Sequence, residues 1–349
     1  MFKKIFKRFS KDMGIDLGTA NTLVYIRDKG IVINEPSVVA VNTKTEQILA
    51  IGDEAKKMVG KTPSHITAMK PLVSGVISDF EVTEKMLKYF IEKVHQERFG
   101  FLPRPRIVIA IPLGITEVEK KAVEDATLHA GASEVFLIEE PMVAAIGARL
   151  PIQDASGNIV VDIGGGTTEI AVISLGGVVA SKSLKVAGNE FDRNIIQYTR
   201  EEFNLLIGEK TAEECKKKIG SAMVEDNENK AMKIRGRDLI SGLPKEVTIT
   251  SSQVKNALNR SLKTIVENIK NTIESTPPEL VSDIYTRGIV LTGGGALLNN
   301  LSKVINMETK IPVNVTDDPL TCVVRGTGLI LEDFENLKEV LITPSEIDM

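Results

Sequence analysis

The chain has 349 residues, of which 42% are hydrophobic and 26% charged, and its formal net charge is −4. This length and composition indicate a globular protein with one very large or two medium-sized domains, and no apolar run approaches the length of a membrane span. Four tyrosines and no tryptophan argue against an aromatic platform for nucleic acid, and two cysteines without CxxC spacing indicate free thiols in a reducing cytoplasm.

The first eleven residues, MFKKIFKRFSK, carry five cations and no acid. Phe2, Ile5, Phe6 and Phe9 follow the i, i+3, i+4, i+7 spacing of one helix face. On an anionic membrane surface, insertion of this face and attraction of the cations would add together. We therefore predict a membrane anchor that lies on the surface. The alternative is a disordered basic tail.

The stretch from Met13 to Ile26 reads MGIDLGTANTLVYI and predicts two strands joined by a turn. Asp16 lies at the end of the first strand. Backbone N–H groups around a glycine suit a polyphosphate, and a carboxylate beside them suits a hydrated Mg²⁺. The residues of this turn are Gly18, Thr19, Ala20 and Asn21.

Residues 31–80 predict a small inserted subdomain with a strand pair, a short helix and a polar loop. Apolar residues at helical spacing then predict a core helix from Val82 to Arg98. After this helix, three large apolar residues lie in a turn before two prolines, where they are hard to bury: Phe99, Phe101 and Leu102. A loop folded onto its own domain is the alternative to a surface contact.

Two adjacent carboxylates, Glu139 and Glu140, follow a predicted strand at Val135–Ile138 and precede an apolar helix. Pro141 suits the start of that helix, because its missing N–H would have no intrahelical partner there. A carboxylate at such a helix start can orient a water molecule, or accept its proton, for attack on a γ-phosphate.

The stretch Ile159–Ile173, IVVDIGGGTTEIAVI, repeats the pattern of the first hairpin, with Asp162 in the position of Asp16. The triple glycine predicts a turn that only glycine can make. Alone, the stretch is equally typical of an ordinary glycine-rich turn. Two related hairpins, however, predict two similarly folded halves that each present a phosphate loop and a carboxylate to one cleft. The residues of the second turn are Gly164, Gly165, Gly166 and Thr167.

The next predicted helix opens at Gly188, where Asn189 is as well suited to be its N-cap as to contact a ligand. A second inserted subdomain spans residues 205–250 and contains a helix from Thr211. On that helix Glu213 and Lys216 are one turn apart, which is typical of a surface ion pair.

A third glycine cluster lies in Ile289–Leu301, IVLTGGGALLNNL. The pattern predicts a strand, the glycines and then a helix that starts near Ala296. This order brings close-approach backbone and a helix N-terminus to a ligand. The glycines are Gly293, Gly294 and Gly295.

The motifs DLGTANT, IEEP, DIGGGTTE and LTGGGALL closely resemble those of the actin, sugar-kinase and heat-shock-chaperone ATPase superfamily. Within it, the chain resembles the MreB family of bacterial actins over nearly its whole length, also in GITEVEKKAV and TAEECKKKIGSA. The resemblance implies an α/β, actin-like ATPase fold: two similar RNase H-like halves around a nucleotide cleft, each with a smaller inserted subdomain. The implied first half comprises residues 12–147 and 318–349, with its insert at about 32–75, and the second comprises residues 148–317, with its insert at about 188–245.

The resemblance also implies the ligands, ATP (ADP after turnover) and Mg²⁺, with Asp16 and Asp162 holding the metal through water. Glu140 corresponds to the catalytic, water-positioning residue, which leaves Glu139 as a surface or hinge residue. The helix that carries Glu213 is implied to lie against the nucleoside. The implied nucleotide-binding residues are Gly18, Thr19, Ala20, Asn21, Gly164, Gly165, Gly166, Thr167, Glu213, Glu214, Lys216, Gly293, Gly294, Gly295 and Ala296.

The implied function is that of a cytoskeletal ATPase that assembles head to tail, in single or paired protofilaments, and hydrolyses ATP slowly afterwards. Such a protein determines cell shape from the inner face of the cell membrane, together with membrane-bound morphogenesis proteins. Phe99, Phe101 and Leu102 match a second membrane contact of the family. A small-molecule kinase and a chaperone-type ATPase are the alternatives, because the fold alone does not select a function. They would need a dedicated Asp base and a peptide-binding domain, respectively, and we expect neither.

Overall fold

The computed structural model describes residues 12–95, 104–225 and 229–342. The described chain divides into two compact units. The first extends to Asp154 and also includes Leu175–Gly177 and the chain from Thr321 onward, and the second comprises Ala155–Ser174 and Val178–Leu320. The predicted membrane contacts lie outside the described residues: Phe2, Ile5, Phe6, Phe9, Phe99, Phe101 and Leu102.

The elements of the first unit, in chain order, are β1 (Met13–Leu17), β2 (Asn21–Ile26), β3 (Gly30–Pro36), β4 (Val39–Asn42), β5 (Ile48–Ile51), α1 (Asp53–Met58), β6 (Ile66–Met69), β7 (Leu72–Val73), β8 (Val76–Ile77), α2 (Phe80–His95), β9 (Arg106–Ile111), α3 (Glu117–His129), β10 (Glu134–Glu139) and α4 (Glu140–Gly147). Its main sheet has the strand order β10-β9-β1-β2-β3. Alternate residues of β1, such as Met13 and Ile15, share one buried core with Met86 and Phe90 of α2, as expected for a strand with one face against a helix.

The elements of the second unit are β11 (Asn158–Ile163), β12 (Thr168–Ser174), β13 (Gly177–Leu184), α5 (Gly188–Phe203), β14 (Leu205–Leu206), α6 (Glu209–Ile219), β15 (Ala231–Asp238), β16 (Pro244–Thr250), α7 (Ser251–Glu274), α8 (Pro278–Arg287), β17 (Ile289–Thr292), α9 (Leu301–Thr309) and β18 (Val313–Val315). The main sheet has the order β13-β12-β11-β17-β18. The chain then returns to the first unit with α10 (Cys322–Glu332) and α11 (Phe334–Leu337).

The two main sheets repeat one topology. Strand β1 lies between the antiparallel β2 and the parallel β9, and β11 lies between the antiparallel β12 and the parallel β17. Read from the other edge, the second sheet is β18-β17-β11-β12-β13, which matches the first strand for strand. The prediction of two similarly folded α/β halves is therefore confirmed.

Each unit also contains a smaller sheet. In the first, β5-β4-β6 forms three strands over α1, around a small core of Val38, Ala40 and Ala55. In the second, β14-β15-β16 forms three strands, and Ile234 of β15 shares the main core of that unit with Cys215 of α6. Among the described residues, no helix combines the length and the apolar character that a membrane crossing requires.

Helices α4 and α10 of the first unit pack with their backbones in contact. A Cβ on Gly326 would lie 2.0 Å from the carbonyl oxygen of Val143, and a Cβ on Gly147 would lie 2.0 Å from that of Cys322. Glycine at both positions therefore permits a helix crossing that no larger residue allows. This contact holds α4, whose first residue is Glu140, against the returning chain.

One local prediction is wrong. The helix expected near Ala296 is a short 3₁₀ turn at Gly294–Leu297, and the α-helix begins at Leu301. Asn300 adopts a left-handed conformation (φ 59°), which asparagine tolerates, and its side-chain amide donates to the Met223 carbonyl at 2.9 Å. Of the two roles that the sequence left open for Asn189, that of N-cap is not observed, because the N-cap of α5 is Ala187.

Candidate functional site

The two hairpins have the same register. In the first, Leu17 pairs with Thr22 across a turn of residues 18–21, and in the second, Ile163 pairs with Thr168 across a turn of residues 164–167. Each strand therefore carries its aspartate, Asp16 or Asp162, one position before the last pair. The correspondence deduced from the two motifs is a correspondence of backbone position as well.

Gly18 and Gly164 matter in these turns because they have no side chain. Neither Gly18 nor Gly164 is needed for a left-handed backbone, because neither has a positive φ. A Cβ on Gly18 would lie 2.7 Å from the carbonyl oxygen of Asn21, and one on Gly164 would lie 3.2 Å from that of Thr167. The missing side chain lets each turn fold back closely on its own backbone.

The first turn is held by residues that the sequence did not indicate. The Ser37 hydroxyl donates to the Gly18 carbonyl at 2.6 Å, and the Ser37 N–H donates to the Ala20 carbonyl at 3.0 Å. The Thr19 hydroxyl is buried and accepts a hydrogen bond from the Gly75 N–H at 2.8 Å. Asn21 is half-buried and Ala20 exposed. Thr19 thus ties the turn to the β7–β8 connection.

The hairpin turn at residues 164–167 is hydrogen-bonded to the N-terminal end of helix α5. The Gly188 N–H donates to the Gly164 carbonyl at 3.1 Å, and the Asn189 N–H donates to the Gly165 carbonyl at 2.8 Å. Asn189 thus contributes to this junction through its backbone, whereas the sequence left an N-cap and a ligand contact open for its side chain. Gly166 is half-buried, and the Thr167 side chain is buried.

Asp162 is a buried carboxylate, with 5% of its surface exposed. Burial raises its pKa to about 6, against the lowering effect of a hydrogen bond from the Thr292 hydroxyl. Gly293 follows Thr292 in the chain and has a φ of 77°. A Cβ on Gly293 would lie 2.7 Å from Oδ1 of Asp162. The third glycine cluster therefore packs onto the second hairpin. Only a residue without a side chain fits beside this carboxylate.

The other residues of this cluster extend the same contact. A Cβ on Gly295 would lie 2.2 Å from Cγ2 of Ile163, and one on Gly294 would lie 2.8 Å from Cδ2 of Leu320. Ala296 is buried in the core of the second unit. The 3₁₀ turn that these residues form thus brings its backbone onto the strand that carries Asp162.

The charged residues of α6 have different environments. Lys216 forms an ion pair with Asp192 of α5 at 2.8 Å and donates to the Gly188 carbonyl at 2.8 Å. Glu213 pairs with Lys217 at 2.6 Å, so the surface pair that the sequence suggested for Glu213 and Lys216 is replaced by two other pairs. Helix α6 is therefore linked to the second turn through Gly188.

Two adjacent α6 residues, Glu214 and Cys215, have shifted pKa values. Glu214 pairs with the exposed Lys218 at 2.5 Å, which lowers the pKa of the glutamate, and it is itself exposed by nearly half. Cys215 is buried beneath these residues, and burial together with the nearby charges of Asp192 and Glu214 raises its pKa to about 12.

The two glutamates of the IEEP motif lie at the junction of β10 and α4. Glu140 is in the first turn of α4 with Pro141 beside it, and 8% of its surface is exposed. Glu139 is the N-cap residue, and its partial burial raises its pKa, although the charge of Lys120 acts in the opposite direction. Both carboxylates are thus partly withdrawn from solvent, Glu140 more so.

The part of the chain that the structure describes contains no dedicated protein cage for a metal ion. Across residues 12–95, 104–225 and 229–342, no group of three or more His, Cys, Asp or Glu side chains is arranged to hold an ion. Mg²⁺ often binds proteins through one or two carboxylates, with water and substrate phosphate as its other ligands. Asp16 and Asp162 fit this second mode, since each lies beside a turn rich in backbone N–H groups.

Comparison with known proteins gives a consistent result. The model of the MreB/Mbl protein family matches residues 10–339. The cell shape-determining protein Mbl of Bacillus subtilis (strain 168) is 50% identical over 329 residues, which is 94% of this chain and 98% of Mbl. The cell shape-determining protein MreB of Escherichia coli (strain K12) is 52% identical over 336 residues, which is 95% of this chain and 96% of that protein.

Solved structures agree with this assignment. MreB5 of Spiroplasma citri bound to ADP superimposes with a TM-score of 0.89 at 41% identity, covering 95% of this chain and 98% of MreB5. MreB5 bound to AMPPNP gives the same TM-score at 40% identity and the same coverage. MamK, solved as a double helical filament, shares the fold with a TM-score of 0.76 at 23% identity, covering 92% of this chain and 98% of MamK. The fold is thus that of the actin-like ATPases.

Proposed function

The chain belongs to the MreB/Mbl family, and on this premise we propose that it is an ATP-dependent, filament-forming bacterial actin that determines or maintains cell shape. The observation that supports this proposal best is the second phosphate turn with its surroundings. One unit combines a turn of small residues, a buried carboxylate at Asp162 and a cation at Lys216. This combination suits a nucleotide whose phosphates carry Mg²⁺.

ATP is the proposed ligand, because the related MreB5 binds ADP and AMPPNP. Backbone N–H groups of the turns at residues 18–21 and 164–167 would cradle the phosphates, and Lys216 would add a positive charge. Asp16 and Asp162 would hold Mg²⁺ through water molecules. When bound, the metal neutralises charge on the β- and γ-phosphates. The 3₁₀ turn at Gly294–Leu297 and the helix with Glu213 would border the nucleoside.

Glu140 is the proposed general base for hydrolysis. Its carboxylate is largely buried at the start of α4, a position from which it would orient a water molecule and accept its proton. A positioned base of this kind contributes roughly 10²–10⁴-fold to a rate. We expect slow hydrolysis that follows assembly, so that nucleotide binding favours the filament and turnover favours its disassembly.

Self-association is proposed to use the tip of the β15–β16 hairpin. Three large apolar residues there are exposed to solvent: Leu239, Ile240 and Leu243. Ile240 alone has 80% of its surface exposed, and clustered apolar residues on a surface typically mark a contact site. A second copy of this chain is the proposed partner, in a head-to-tail filament of one or two strands.

The proposed location is the inner face of the cell membrane, in the cytoplasm. The basic and amphipathic first eleven residues support it, and Phe99, Phe101 and Leu102 would add a second contact. Membrane-bound proteins of morphogenesis are the proposed further partners, since relatives are cell shape-determining proteins.

Sedimentation with and without nucleotide tests the proposal. The full chain should pellet when Mg²⁺ and ATP are present and remain in the supernatant when ATP is omitted or Mg²⁺ is chelated. Electron microscopy of the pellet should show filaments rather than amorphous aggregate. Sedimentation that is the same in all three conditions would contradict an ATP-dependent polymer.

A further inference from the structure

Asp192 and Lys216 form an ion pair that is largely withdrawn from solvent. Their oxygen and nitrogen atoms are 2.8 Å apart, and the two side chains are 13% and 16% exposed. The neighbouring lysines of α6 differ, because Lys217 and Lys218 pair with glutamates of their own helix and extend into solvent. Exposed pairs of that kind contribute little, whereas a desolvated pair fixes the position of both partners.

The same ammonium group also contacts the backbone of α5. Lys216 Nζ donates to the carbonyl oxygen of Gly188 at 2.8 Å. Gly188 and Asp192 are four residues apart on one helix and therefore lie on the same face. One ammonium group thus bridges the first turn of α5, and Asp192 supplies the charge that holds it there.

Gly188 is also hydrogen-bonded to the second turn, at residues 164–167. Its N–H donates to the Gly164 carbonyl at 3.1 Å, and the adjacent Asn189 N–H donates to the Gly165 carbonyl at 2.8 Å. A continuous set of contacts therefore runs from Asp192 through Lys216 and Gly188 to the turn. Every member of it lies in the second unit.

We propose that Asp192 is a positioning residue for nucleotide binding, which acts by holding Lys216 beside the Gly164–Gly165 turn. An ammonium group has three N–H donors. In Lys216, one donates to the Gly188 carbonyl oxygen and one faces the Asp192 carboxylate. The third is then directed by the other two and is available to an anionic or hydroxyl oxygen of the nucleotide. This role rests on the proposed function, and it adds a residue that the motifs did not indicate.

The physical advantage lies in preorganisation. A lysine side chain has four rotatable bonds and loses considerable entropy when it is fixed at a ligand. Asp192 imposes that order before the nucleotide arrives, which lowers the cost of binding. The influence of the Asp192 charge on its surroundings is also seen at Cys215, where it adds to burial in raising the thiol pKa.

A double-mutant cycle tests the proposal. Affinity for a fluorescent ATP analogue with Mg²⁺ would be measured for the full chain and for the variants Asp192→Asn, Lys216→Met and the double variant. Each single variant should weaken binding about tenfold or more, as expected for loss of a hydrogen bond with a charged group. The double variant should bind no more weakly than Lys216→Met, because Asp192 acts through the lysine.

Lys218→Met is the matched control, since it removes a cation from the same helix without touching α5, and it should bind as the wild type does. Thermal unfolding without nucleotide would verify that each variant folds. If Asp192→Asn does not fold, Asp192→Glu replaces it and should show an intermediate affinity, because the charge remains but is displaced by one methylene group.

Three results would overturn the inference. Wild-type affinity in Asp192→Asn would remove the role of Asp192 and leave the proposed function intact. Additive losses in the double variant would indicate a structural effect independent of Lys216. Absence of ATP binding by the wild type itself would instead overturn the proposed function, and the positioning role with it.

Discussion

Thr292 donates a hydrogen bond from its hydroxyl to Oδ1 of Asp162, directly across the parallel pairing of β11 and β17. Both side chains are buried. A single neutral donor does not replace the hydration of a carboxylate, and the pKa of Asp162 is accordingly raised to about 6. Without a cation, the folded protein therefore bears a costly negative charge at neutral pH, in the position where Mg²⁺ is proposed to bind.

The first prediction concerns the pH dependence of this cost. Because the pKa of Asp162 is about 6 in the folded state and 3.8 as its ordinary value, the folded state binds the proton more tightly. The carboxyl group therefore favours folding at pH below about 4, and this contribution is lost as the pH rises through about 6. Above that range the free energy of unfolding is lower, by on the order of 3 kcal/mol, than it would be with a protonated Asp162.

Asp162→Asn should therefore raise the thermal unfolding temperature of the nucleotide-free protein at pH 8, and the advantage should disappear towards pH 4. Circular dichroism at a series of pH values measures this difference. With Mg²⁺ and ATP added at pH 8, the wild type should have the higher unfolding temperature, because only the wild type has the carboxylate for the metal. A difference between the two proteins that does not change with pH would contradict the argument.

The second prediction concerns the backbone of the phosphate turn. Gly165→Val places a branched side chain where the phosphates are proposed to approach, so the variant should fold but lose nucleotide binding. Gly208→Val is the control, because a Cβ at Gly208 meets no atom within 4 Å and the backbone there is extended. Binding of a fluorescent ATP analogue would separate the two. Tight binding by Gly165→Val would exclude this turn from the site.

The third prediction separates the adjacent glutamates. Glu140→Gln keeps the size of the side chain and removes the base, so it should bind ATP normally and hydrolyse it roughly 10²–10⁴-fold more slowly. Its filaments should persist after those of the wild type disassemble. Glu139→Gln is the matched control and should retain most activity. Phosphate release during polymerisation measures both, and the reverse pattern would assign the role to Glu139.

Local sequence signals predicted much of the fold. The strand predicted at Val135–Ile138 is β10, Glu134–Glu139. The core helix predicted from Val82 to Arg98 is α2, Phe80–His95. Both features depend on residues that are neighbours in sequence, and hydrophobic periodicity describes such features well.

Features that depend on distant residues were not predictable in this way. The partner of Lys216 lies on another helix, and the partner of Asp162 lies 130 positions away. The 3₁₀ turn that replaces the helix expected near Ala296 also depends on distant residues. Asn299 donates to the Gly220 carbonyl at 2.9 Å, so a contact with the end of α6 stabilises the irregular backbone that the local pattern does not favour. The motifs thus identified the turns, and the supporting residues required the structure.

The fourth prediction concerns self-association through the hairpin tip. Ile240→Asp places a charge in the proposed contact, which should strongly reduce ATP-dependent sedimentation and leave ATP binding unchanged. Val118→Asp is a matched control, because Val118 has the same 80% exposure as Ile240 but lies on α3. Equal sedimentation of Ile240→Asp and the wild type would remove the tip from the interface.

The fifth prediction concerns the membrane and rests on the sequence of residues 1–11, which lie outside the described part of the chain. Each cation near an anionic surface contributes about 1 kcal/mol, and this attraction falls off within a Debye length. Ordering a short peptide offsets much of the gain from its apolar face. A single copy should therefore bind reversibly, and a filament that presents many copies should bind firmly through avidity.

Co-sedimentation with vesicles that contain anionic lipid should accordingly increase with anionic content, decrease with salt, and increase again when ATP permits assembly. Deletion of residues 1–11 should remove most of the binding without affecting filament formation in solution, which serves as the control. Replacement of Phe99, Phe101 and Leu102 by serine in the deletion variant should remove the remainder. Because avidity multiplies a weak contact, the deletion should have its largest effect under assembly conditions. A deletion variant that binds anionic vesicles as well as the full chain would show that the first eleven residues are a solvated tail.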